Sequence, residues 1–167
     1  MKDQKRLLNK WTVSYYKFML SKFLNNVNAS SKEESSEKMI AISTAALLIE
    51  AANADDNFTE EERKTINDIL VKKFNLNAEE LEEIISLANK KIEQSVSFYE
   101  FTNILNRQFS RDEKYEIIFR IFEVIFADSK LDSHEEYFIR TISTNLHLDH
   151  SDFIAAKIEI KKKLGII

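Results

Sequence analysis

The chain has 167 residues, with 24 basic and 28 acidic side chains, a formal net charge of −4, no cysteine, no proline and one glycine, Gly165. The lack of cysteine excludes disulfides, thiolate nucleophiles, Cys-ligated zinc and iron–sulfur clusters. The lack of glycine upstream excludes P-loop and dinucleotide-binding loops, which need close backbone approach, as well as Asn-Gly hairpin turns.

A chain of this length is expected to form one compact domain, with room for an appendage, and to bury roughly 70% of its unfolded surface without staples. Charge is unevenly spread: residues 1–28 carry +5 and the remainder −9. An acidic body is a poor nucleic-acid binder, because duplex affinity comes mainly from phosphate neutralisation. No run of 18 apolar residues is present, and Lys10 and Lys17 interrupt any signal-peptide core. The expected setting is cytoplasmic.

Residues 1–27 read as a basic amphipathic helix. Leu8, Trp11, Tyr15, Phe18, Met19 and Phe23 recur at helical spacing. Such a helix packs on the body or a partner, or makes peripheral membrane contact. Residues 28–37, NASSKEESSE, read as a polar linker. From 38 to 167 the pattern is helical throughout, with helices expected near 36–54, 60–74, 78–94, 98–108, 111–127, 133–145 and 150–163.

The starts are marked by capping boxes, in which a small polar residue and a Glu three positions later satisfy each other's backbone N–H. The pairs are Thr59/Glu62, Asn77/Glu80, Ser97/Glu100, Ser110/Glu113 and Asp132/Glu135. The fold class is therefore all-α.

A shift of 73 positions aligns 45–66 with 118–139. It matches Leu48 with Ile121, Glu50 with Glu123, Ala54 with Ala127, Asp55 with Asp128, Phe58 with Leu131, Glu62 with Glu135 and Ile66 with Ile139. After a one-residue deletion, NLNAEEL (75–81) meets HLDHSDF (147–153). An apolar helix, an Ala-Asp turn, a cap and a second helix recur in order, which points to an internal repeat. The halves, about 38–94 and 111–163, are expected to pack around a pseudo-two-fold axis in a helical bundle, each covering the other's apolar face.

Each half carries an acidic corner: Glu50, Asp55 and Glu62 in the first, Glu123, Asp128 and Glu135 in the second. Three oxygen donors suit a hard divalent cation such as Ca²⁺ or Mg²⁺. An EF-hand is not the answer. Ala51 stands at its first ligand position, Asp56 at its glycine, and Val124, Ile125 and Phe126 precede Asp128. A simpler account is also open. Glu62 and Glu135 cap helices, Asp55 and Asp128 end them, and Glu50 and Glu123 pair with Lys or Arg across the repeat. Glu50 and Glu123 stand out because both sit among apolar neighbours, where a carboxylate needs a partner. His147 and His150, beside Asp149 and Asp152, form a weaker zinc candidate. No nucleophile–base pair is evident, so enzymatic activity is not expected.

The stretches IEAANADDNFTEEER (49–63), SFYEFTNILN (97–106), FEVIFADSKLDSHEE (122–136) and LDHSDFIAAK (148–157) resemble the TerB-like family of bacterial tellurite-resistance-associated proteins, in particular its branch with two corners. The resemblance covers about 38–160. It implies an all-α bundle, a bacterial cytoplasmic setting linked to stress, a metal-binding role for Glu50, Asp55, Glu62, Glu123, Asp128 and Glu135, and a protein partner. One departure stands out: relatives often place Gly after Ala-Asp, whereas Asp56 and Ser129 occupy those positions here. The other reading is an ion-free scaffold that binds partners through the N-terminal helix and an apolar groove between the repeats.

Overall fold

The computed structural model describes residues 36–54, 57–128 and 131–167, with only the backbone at Asp128. The N-terminal helix and nearly all of the linker lie outside the described residues. Contacts divide the chain into Met1–Glu37 and Lys38–Ile167, and the second unit is described by itself.

Its first helix, α1, covers 36–52, starting where the helical pattern was expected to start. Then follow α2 (Glu60–Phe74), α3 (Ala78–Gln94), α4 (Tyr99–Gln108), α5 (Arg111–Ile125), a 3₁₀ turn (Phe126–Asp128), α6 (Ser133–Asn145) and α7 (His150–Lys163). The fold is all-α, and no strand occurs among the described residues.

Two helices form the centre. In α1, every residue from Ala41 to Ile49 is buried, as are Ala51 and Ala52. In α5, Ile117, Ile118, Ile121, Phe122, Val124 and Ile125 are buried. A helix apolar on most sides must be enclosed on most sides. Accordingly, α5 packs against α2, α6 and α7. Burial of each such side chain contributes roughly 1.5–3 kcal/mol, so α5 alone supplies a large share of the core.

Four of the five expected capping boxes form, at Thr59, Asn77, Ser110 and Asp132. The fifth does not. Phe98 is already in the helical region and caps α4 without a side-chain bond. Ser97 is held in a turn, its C=O accepting from the Ser95 hydroxyl at 2.7 Å, and Phe98 packs edge-on against Phe138 at 5.3 Å. The Ser97 N–H, which a box would give to Glu100, goes to the Ser95 hydroxyl instead, and α4 opens one residue later than expected, at Tyr99. A box built from two aspartates escaped the sequence pattern: the Asp149 N–H donates to Asp152 at 2.9 Å and opens α7.

Two helix ends also differ from expectation. α1 stops at 52, and α5 tightens into the 3₁₀ turn after Ile125. Both changes fall where the Ala-Asp corners begin.

Candidate functional site

The six corner residues divide into three kinds of environment. Glu62 and Glu135 are helix-cap residues in the interior, only 1% and 2% exposed. Glu62 Oε2 accepts from the Thr59 N–H at 2.8 Å and from its hydroxyl at 3.0 Å. Glu135 accepts from the Asp132 N–H at 2.7 Å. Both have further interactions. A buried carboxylate is tolerated because it satisfies orphan helix-start donors.

Glu123 is fully engaged. Lys163 donates to Oε1 at 2.6 Å and Arg120 to Oε2 at 2.7 Å. Burial pushes the carboxyl up, but these two cations outweigh it and hold Glu123 below its ordinary value. Both partners lie on α5 and α7, so among the described residues Glu123 has no pairing with Lys or Arg of α1–α3. The Arg120 pairing was readable as a three-residue spacing along one helix; the Lys163 pairing is tertiary and left no sequence signal.

Glu50, the matched position on α1, is half-buried. Burial alone raises its pKa. No hydrogen bond or ion pair to it occurs among the described residues. The position matching Arg120 in the first repeat is Leu47, fully buried, so the local counter-ion is missing. Asp55 lies outside the described residues, and the side chain of Asp128 is likewise undescribed.

Among the described residues, no group of three or more His, Asp or Glu side chains is placed to hold a metal ion. The corner at Glu123 does not fit one, because a cation would have to displace Arg120 and Lys163. Glu50, by contrast, is a half-buried carboxylate with no cation on it among the described residues. The zinc candidate is occupied by other contacts: Asp149 and Asp152 both accept from Arg111, at 3.1 and 2.8 Å, and His150 stacks on Phe153.

A groove of about 560 Å³ lies between α2, α5, the 3₁₀ turn and the end of α7. A continuous chain of ion pairs lines it, beside Ile69, Phe126, Leu164 and Ile166. Lys73 reaches Glu116 at 2.9 Å, Glu116 meets Arg120 at 3.3 Å, Arg120 meets Glu123, and Glu123 meets Lys163. Among the described corner residues, Glu123 lines this groove and Glu50, Glu62 and Glu135 do not. These four are therefore not gathered at the groove.

The family model for tellurite resistance protein TerB matches residues 41–158. The chain belongs to the TerB family. No match was found among curated proteins or solved structures. The match runs from α1 into α7, so both acidic corners and most of the groove lie inside the TerB region. No helix among the described residues is long and apolar enough to cross a membrane.

Proposed function

We propose that this chain is a non-enzymatic TerB-family module that binds a divalent cation, Ca²⁺ or Mg²⁺, at its first acidic corner and not at its second. Glu50, Asp55 and Glu62 would supply hard oxygen donors to the ion. The observation that carries this reading is the difference between two matched carboxylates. Glu123 has two protein cations on it, whereas Glu50 is half-buried with its pKa raised by burial alone. A bound cation would offset the cost of ionising Glu50 there. The family's description supports a setting connected with tellurite resistance, although an acidic body is an unsuitable surface for an oxyanion.

Thermal melting with and without Ca²⁺ or Mg²⁺ tests the proposal. Binding to the native state alone raises Tm with ion concentration. The rise is expected in the native protein and in Glu123→Gln, and is lost in Glu50→Gln. If neither ion raises Tm, or if Glu50→Gln keeps the rise, the reading is wrong.

A second reading is an ion-free interaction scaffold that uses the N-terminal segment and the groove between α2, α5 and α7. The groove favours it, being large enough to seat part of a partner.

A further inference from the structure

The groove has a charge opposite to that of the domain carrying it. Residues 38–167 contain 17 basic and 24 acidic side chains, a net −7. Among the described residues the groove lining reverses this: Lys72, Lys73, Arg120 and Lys163 face Asp68, Glu116 and Glu123. Lys161 adds a further positive charge at its edge, over the ring of Phe126 at 6.0 Å.

The ion-pair chain has an odd number of members. It runs lysine, glutamate, arginine, glutamate, lysine, so both ends are cations. An ammonium has three N–H donors; Lys73 and Lys163 each spend one on a carboxylate. Neither Lys72 nor Lys161 is ion-paired among the described residues. The unspent positive charge is therefore divided between two sites, the end of α2 and the end of α7. Between them lies apolar surface from Ile69, Phe126, Leu164 and Ile166.

We infer that this groove docks an acidic peptide segment of a partner protein, in which carboxylates alternate with apolar residues. A compact phosphate dianion fits less well, because it would leave the apolar surface uncovered. A peptide reaches both lysine ends and covers the apolar surface between them. Because the rest of the domain is negative, the groove is where such a segment is drawn in, and charge complementarity of this kind governs encounter and partner choice. The inference rests on the scaffold reading above and is independent of any cation at Glu50.

The test is nuclear magnetic resonance on the isotope-labelled full chain. The probe is a six-residue peptide alternating aspartate and leucine, with an alternating lysine and leucine peptide as control and inorganic phosphate as competitor. The aspartate peptide is expected to shift signals at Lys72, Lys73, Arg120 and Lys161–Ile166, while the lysine peptide leaves them in place. The double variant Lys72→Glu with Lys161→Glu is expected to melt like the native protein and to bind about tenfold more weakly, because complementary charge has become like charge. Rising salt is expected to weaken binding as well. No shift in the native protein, or binding unchanged in the double variant, overturns the inference. Shifts confined to residues 1–27 overturn it too, while leaving the scaffold reading in place. Displacement of the peptide by equimolar phosphate would reassign the groove to oxyanions.

Discussion

Lys163 reaches Glu123 at 2.6 Å and ties the last turn of α7 to α5. The pair closes the ion chain that begins at Lys73 on α2, so three helices are joined through charge at one edge of the groove. Half of the Lys163 side chain is exposed, whereas Glu123 is 20% exposed, and the two residues are predicted to respond differently to removal. Lys163→Met is expected to cost less than about 1 kcal/mol, as for a partly exposed pair. Glu123→Leu leaves Arg120 and Lys163 without their shared anion and is expected to cost about 1–3 kcal/mol. Urea denaturation of both variants checks the order; a larger loss in Lys163→Met would contradict it.

Caps in the interior are predicted to matter more than caps at the surface. Glu62→Ala and Glu135→Ala each remove a bond to a helix-start N–H that water cannot replace, at a cost of about 1–2 kcal/mol. Glu80→Ala and Glu113→Ala act on exposed boxes, where water re-solvates the donor, and are expected to cost about 0.5–1 kcal/mol. Equal losses in all four would show that burial plays no part.

The acid response is predicted to have two signs. Burial raises Glu50 above its ordinary value of 4.5, so its ionisation opposes folding. As pH falls through that raised pKa towards 4.5, protonation removes the penalty and stability rises. Glu116 and Glu123 are held low by Lys73, Arg120 and Lys163 against the effect of burial, and Glu136 by Lys157 and Arg140. Their contribution is present above 4.5 and is lost as pH falls through their depressed values. Stability against pH is therefore expected to show a shallow maximum on the acid side of neutrality, then a steep fall below 4.5. In Glu50→Gln the maximum should flatten while the fall remains.

Phe122 is predicted to be among the costliest single sites. It is fully buried and meets Phe153 and Phe126 with ring centroids 5.4 and 6.2 Å away. Phe122→Ala is expected to cost about 3–5 kcal/mol, against less than about 0.5 kcal/mol for Tyr137→Ala on the surface. Calorimetric melting separates the two.

The helices were legible because their causes are local. Thr59 and Glu62, or Ser110 and Glu113, are three positions apart and carry their own instruction for where a helix begins. Ser97 misled because its N–H is taken by the neighbouring Ser95 hydroxyl rather than by Glu100, so the pattern was present without the bond. The candidate site was legible only in part. Glu50 and Glu123 read alike in sequence, each flanked by apolar residues. What separates them is Leu47 against Arg120, a difference visible along the chain, and Lys163, which only tertiary packing delivers. Asn75 and His147, which the sequence alignment pairs, are the two non-glycine residues with positive φ among those described, at 52° and 60°.

The locally written helix starts bear on how the chain gains its structure in time. Thr59, Asn77, Ser110 and Asp132 each find their partner within one turn, so these starts can form before distant segments meet. Glu123 and Lys163 are forty residues apart and meet only once α7 has docked. Loss of Lys163 should then leave the refolding rate nearly untouched and hasten unfolding, making this pair a latch on the lifetime of the native state rather than a guide to reaching it.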